Sequence, residues 1–295
     1  MSILTVSRGA HAPATQVSRH TAGLAQIAVT ALIDEATLTP KPGLVDLRGR
    51  GAHRDLDWLL MCHSAWALHP AFCAMAEAGA GGSHTLLLRE QIGRIGRQAE
   101  ADMLQATGGI NTHRGAIWAL GLLLTAGAEN PAATVAGVAA RAGEIARHED
   151  RFAPARTGNK GEAACLQFGV GGARGQARAG FPAVVDHALP MLRLSRARGD
   201  GEPQARVNAL LAVMAGLDDT CLLARGGRRA LEATQAGARR VLALGGIATP
   251  NGRRALDALE TRMRTLHVSP GGAADLLAAC LLLDSIEQEH VQARD

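Results

Sequence analysis

The chain of 295 residues has no tyrosine and only four phenylalanines and three tryptophans. That scarcity removes the aromatic platforms on which single-strand binders stack successive bases, so no nucleic-acid partner is expected. Lysine is almost as rare, since Lys41 and Lys160 are the only lysines among 31 basic residues. The net charge of +4 is therefore carried by arginine in an alanine- and glycine-rich chain, and alone it says little about partners. Five cysteines (Cys62, Cys73, Cys165, Cys221 and Cys280) lack any CxxC spacing, which argues against a zinc ribbon or a disulfide framework and fits a reducing cytoplasm. No apolar run approaches the ~20 residues of a membrane span, and residues 1–20 lack the apolar core of a secretory signal. A cytoplasmic protein without a membrane partner is the expectation. Alternating β-branched runs of strand length are missing too. The expected fold class is all-α, a single compact bundle of about ten helices whose glycine-rich loops converge on one mouth. Residues 1–20 read as a flexible N-terminal arm and 21–295 as one catalytic domain, with the tryptophans in its core.

What the chain does contain is concentrated chemistry between Glu35 and Asp57. Apolar positions Leu24, Ala28, Ala31 and Leu38 recur at helical spacing and carry Glu35 on the same stripe, so a carboxylate is expected to face inward. Buried carboxylates are paired or bind something, which leaves a site residue and a salt-bridged strut as equal readings. Pro40 and Pro42 bar helix on either side of Lys41 and predict a stiff loop. Asp46, Arg48, His53 and Asp55 follow, punctuated by glycines, in a composition that suits a polyanion.

Four more glycine-marked islands stand at expected helix ends. Gly108 to Gly115 runs into an apolar helix and brings Asn111, His113 and Arg114 to a predicted helix N-terminus, a natural anion site and equally an ordinary turn and cap. Gly169 to Pro182 holds five glycines with Arg174 and Arg178 and reads as a phosphate-cradling loop, without matching a Walker or dinucleotide fingerprint. Asp218 and Asp219 precede Thr220, an apolar turn and Arg225-Gly226-Gly227, a metal site or merely a cap. Ser269-Pro270 should cap the last helix, from Ala273 to Gln288.

In order, the islands PKPGLVD with GAHRD, GGINTHRG, GVGGARGQARAGFP, DT with RGG, and SPGGAADLL resemble the triphosphoribosyl-dephospho-CoA synthase family. The resemblance runs from about Glu35 to the end. It departs at Gln176, Ala224 and Ala273, where glutamate, histidine and serine are usual.

The resemblance implies an all-helical transferase that moves the triphosphoribosyl group of ATP onto the ribose 2′-hydroxyl of 3′-dephospho-CoA and releases adenine. The product is the prosthetic-group precursor of malonate decarboxylase or citrate lyase, the former being favoured, and reaches the acyl carrier protein through a separate transferase. On this basis Lys41, Arg48, Asn111, His113, Arg114, Arg174, Arg178 and Arg225 are the expected substrate-binding residues. Magnesium should accompany ATP, with Asp46, Asp55 and Asp219 as ligand candidates. Glu35, Asp55 and His53 are the expected catalytic residues: burial penalises a charged carboxylate, so Glu35 should protonate adenine while Asp55, among arginines, accepts the hydroxyl proton. A nucleotide N-glycosidase and a helical scaffold without chemistry are the alternatives.

Overall fold

A computed structural model describes residues 14–292. Among the described residues there are thirteen α-helices and one π-helical turn, with no strand. The helices are α1 (Ala14–Thr37), α2 (Trp58–Ala67), α3 (His69–Ala80), α4 (Thr85–Ala106), α5 (Arg114–Glu129), α6 (Val135–Arg147) and α7 (Lys160–Phe168). They continue with α8 (Gly172–Arg178), a π-helical turn at Ala183–Ala188, α9 (Leu189–Ala197), α10 (Glu202–Met214), α11 (Thr220–Ala243), α12 (Pro250–Thr265) and α13 (Gly271–Gln292).

Two of these helices have apolar residues on every side, and that composition demands burial from all directions. In α5 every residue from Ala119 to Ala128 is buried, and in α13 the run from Leu276 to Leu283 is buried without a break. The two pack on each other, α1 covers both, and α3, α6 and α10 complete the surround. Each fully buried leucine in this core contributes about 2 kcal/mol. Because α5 and α13 are the inner helices, their N-terminal ends fix where buried backbone N–H groups gather.

The structure departs from the sequence reading at several boundaries. Helix α1 begins at Ala14, so residues 14–20, expected in the arm, are helical; residues 1–13 lie outside the described residues. The helix expected from Leu56 to Glu77 is two helices that part at Leu68, because Pro70 has no N–H to continue the ladder and is tolerated only in the first turn of α3. The expected phosphate loop is instead largely helix: Gly169 ends α7 in the left-handed region, and α8 occupies Gly172 to Arg178. The helix expected from Arg228 is there, but a further helical stretch from Thr220 precedes it within α11, and the two meet at a kink at Gly227, whose φ of 64° and ψ of −166° need a residue without Cβ. Trp66 is 51% exposed, and Trp58 and Trp118 are half-buried with their indole N–H groups donating to Thr37 Oγ1 and the Ala173 carbonyl. No single described helix is long and apolar enough to cross a membrane, and the one pair that would reach together, α2 with α3, is bent by 40°.

Candidate active site

Beyond Thr37 the prolines forbid another helical turn, and the chain runs irregularly to Asp57, which caps α2. Lys41 does not project from this loop. It is 1% exposed, its ammonium stands 2.5 Å from Glu35 Oε1, and it also donates to the Glu35 backbone carbonyl. Glu35 is 4% exposed, so the inward carboxylate read from the helical stripe is real, and its partner is a lysine six residues on.

Asp46 organises the same loop. Its carboxylate accepts from the Lys41 N–H at 3.0 Å, the Arg48 N–H at 2.8 Å and the Arg48 guanidinium at 2.7 and 2.9 Å. Arg48 also pairs with Glu260 of α12 at 3.0 Å. The structure thus gives Lys41, Arg48 and Asp46 places as struts, in contrast to the ligand places expected from the sequence.

Past this knot the loop delivers His53 to the far end of the chain. Its Nε2 lies 2.8 Å from Ser269 Oγ, its Nδ1 lies 3.4 Å from Arg225 Nη2, and Asp55 Oδ1 is 3.8 Å from Nδ1. A guanidinium only donates, so Nδ1 accepts and Nε2–H donates to Ser269. Burial, then the Arg225 charge, hold the His53 pKa down at about 4 against the opposing pull of Asp55, so the ring is neutral at pH 7. Asp55 and Arg225 are exposed at this edge.

A second histidine lies at the start of α5. His113 Nδ1 is 2.9 Å from Ser64 Oγ on α2, which is itself 2.5 Å from Thr112 Oγ1. Burial and the nearby Lys41 charge push its pKa down to about 4, and its buried Nε2 has no partner. Asn111 Oδ1 accepts the Arg114 N–H at 3.2 Å and caps the helix.

The N-termini of α11 and α13 are tied by one carboxylate. Asp219 Oδ1 accepts from Cys221 N at 2.8 Å and Leu222 N at 3.4 Å, while Oδ2 accepts from Ala273 N at 2.9 Å. Burial raises the Asp219 pKa and these backbone donors oppose it. Asp275, in the first turn of α13, lies against the first turn of α5. A Cβ on Gly115 would stand 2.0 Å from Asp275 Oδ2, so only glycine lets that carboxyl reach the α5 terminus. Burial first, then Glu35 and Asp219, hold the Asp275 pKa well above the ordinary carboxylate range. Three helix N-termini therefore meet, each with its positive dipole end, around two carboxyl groups.

The other expected residues sit farther out. The start of α8 adjoins α11, where a Cβ on Gly172 would lie 3.2 Å from Thr220 Cγ2, and Arg174 is exposed two residues on. Arg178 points back to α6, donating to the Ala146 carbonyl at 3.4 Å, and Arg114 is paired with Glu100 of α4 at 2.5 Å. Among the described residues no three His, Cys, Asp or Glu side chains gather as a metal-holding group. Asp46, Asp55 and Asp219 do not form the expected ligand set, because loop and helix N–H groups occupy the oxygens of the first and third and the second stands apart at the edge.

Residues 21–294 match the family model described as ATP:dephospho-CoA triphosphoribosyl transferase. The chain belongs to this family. It is accordingly a transferase. A Pseudomonas fluorescens Pf-5 protein named probable 2-(5''-triphosphoribosyl)-3'-dephosphocoenzyme-A synthase is 58% identical over 266 residues, 90% of this chain and 91% of the relative. Relatives of the same name from Stutzerimonas stutzeri and Azotobacter vinelandii are 54% and 57% identical, each over 89% of this chain and 91% of their own length. No solved structure matches the chain.

Within this transferase the departures from the family's islands are accommodated locally. Gln176 Oε1 accepts the Ala183 N–H at 3.2 Å and so holds the turn before the π-helical segment. Ala273, fully buried, meets Asp219 through its backbone N–H, a contact that does not depend on a serine hydroxyl. Ala224 is exposed. The sequence reading passed over Asp275, Ser269 as a partner of His53, and Ser64. A lone carboxylate one turn into an otherwise apolar helix was the available signal for the first.

Proposed function

We propose that this transferase moves the triphosphoribosyl group of ATP to the 2′-hydroxyl of 3′-dephospho-CoA, breaking the bond from C1′ to adenine and forming the bond from C1′ to oxygen. The carrying observation is the meeting of three helix N-termini, Arg225 and neutral His53 beside buried carboxyl groups. Exposed Arg225 and Arg174 supply charge for phosphate oxygens at the edge, and the helix ends add dipoles of the same sign. A reacting C1′ passes through an oxocarbenium-like state, which nearby carboxylate stabilises. Asp55 accepts the hydroxyl proton in this reading, which its exposure and its 3.8 Å separation from His53 support. Magnesium enters as the counter-ion of the triphosphate, since the acids do not gather into a cage of their own.

The product, 2′-(5''-triphosphoribosyl)-3′-dephospho-CoA, then serves a separate transferase that loads an acyl carrier protein, of malonate decarboxylase in preference to citrate lyase, in the cytoplasm. Mass spectrometry of dephospho-CoA incubated with ATP, magnesium and the protein tests the reading. Expected are a dephospho-CoA adduct of one triphosphoribosyl group and an equal amount of adenine. Adenine release without dephospho-CoA would identify an N-glycosidase instead, and no release at all would overturn the reaction.

A further inference from the structure

Five ionisable groups share the buried centre, and their compensation is unequal. Glu35 from α1 has the Lys41 ammonium at 2.5 Å. Asp219, ahead of α11, accepts three backbone N–H groups at 2.8 to 3.4 Å and a further backbone contact from Gly272. Asp275 on α13 lies against the first turn of α5, where a Cβ on Gly115 would stand 2.0 Å from its Oδ2, and faces Glu35 and Asp219 as like charges. The remaining titratable neighbour is Cys221 of α11, whose thiol burial and these same acids keep protonated. No cation touches Asp275, so of the three carboxyl groups it gains least from ionising. Unlike Glu35 and Asp219, Asp275 is only partly buried.

We propose, resting on the reaction given above, that Asp275 is the general acid that protonates the departing adenine, in the place the sequence assigned to Glu35. As the C1′ to nitrogen bond breaks, its electron pair goes to the purine, which takes the Asp275 proton. The 2′-hydroxyl forms the new bond to C1′ and loses its proton, which restores the carboxylic acid by way of Asp55 and solvent. Atoms and charge balance without a further reactant. Burial first, with Glu35 and Asp219 beside it, keeps Asp275 protonated, and Glu35, bound to Lys41, positions no substrate itself. Holding a carboxylic acid neutral beside a charged carboxylate divides acid and base work between like groups.

The test compares wild type and Asp275→Asn on ATP and on N7-methyl-ATP, whose base departs neutral and needs no proton. On ATP the variant should lose roughly 10²- to 10⁴-fold in kcat with KM nearly unchanged, while on N7-methyl-ATP the two should turn over alike. Equal loss on both nucleotides, or undiminished activity on ATP, would overturn the assignment. Wild type provides a measurement independent of whether the variant folds: its kcat/KM on ATP should fall on the alkaline side as the acid ionises, and that limb should be missing with N7-methyl-ATP. An alkaline limb shared by both nucleotides also overturns it. If wild type transfers from neither nucleotide, it is the reaction itself that fails, and this assignment with it.

Discussion

Lys41→Ala should destabilise the protein far more than it weakens nucleotide binding. The variant leaves Glu35, 4% exposed, as a buried carboxylate facing Asp275 with no cation at hand. Removing one partner of a buried pair costs ~3–5 kcal/mol, because the remaining charge keeps its desolvation penalty and loses its compensation. At ~2–4 °C of melting temperature per kcal/mol for chains of about this size, Tm should fall by ~6–20 °C. A contact with phosphate predicts something different, a loss of ~1.5–3 kcal/mol in ATP affinity with the melting curve in place.

The decisive comparison adds Glu35→Gln and the double variant Glu35→Gln with Lys41→Met. Taking both charges away removes the uncompensated ion, so the double variant should regain most of the Tm lost in Lys41→Ala, and the cycle yields a coupling energy of a few kcal/mol. Melting by circular dichroism and urea unfolding read stability, and ATP KM is measured on the folded fraction. A Lys41→Ala protein that melts like wild type while its ATP KM rises tenfold or more would refute the strut and return Lys41 to the triphosphate.

Acid should destabilise the fold through its two neutral histidines. His53 and His113 have folded pKa values of about 4 against 6.5 for the free side chain, so the unfolded chain binds protons first and stability falls as pH drops from 6.5 towards 4. The loss approaches about 3 kcal/mol for His113, and less for the partly solvated His53. Urea midpoints across this range measure it, and His113→Gln should flatten the slope if His113 is its source. Asp219→Ala removes the cap of α11 and the acceptor of the buried Ala273 N–H, which together cost ~2–4 kcal/mol. A urea unfolding change under about 1 kcal/mol would mean that another acceptor serves both helices.

The all-helical class was legible because nothing in the sequence alternates with a period of two, and Glu35 was legible because α1 is long enough for its stripe to be unambiguous. Its partner was not. A lysine between two prolines looks exposed by every local rule, and it is buried only because the loop folds back over the end of its own helix. The convergence of the islands could be anticipated from their glycines and charges, but the contacts that bring it about involve backbone donors. Asp219 reaches Ala273 N across 54 positions. A backbone N–H leaves no mark in the sequence. The glycine-rich stretch before Phe181 was only partly legible: Gly169, Gly172 and Gly180 do take positive φ, but Gly175 is a helical residue within α8.

The arrangement also explains how a chain with only two lysines can present a site for a highly charged nucleotide. Lys41 is neutralised within its own pair, and both site histidines are uncharged at pH 7, so the buried centre has no free side-chain cation. Positive partial charge there comes from the ends of α5, α11 and α13, whose dipoles are fixed by the packing of apolar helices and cannot be titrated. Mobile charge, in Arg225 and Arg174, is kept at the exposed edge. On the proposed reaction, phosphates are attracted there without an ammonium or guanidinium beside Asp275, where a nearby cation would draw off the proton that the departing base requires.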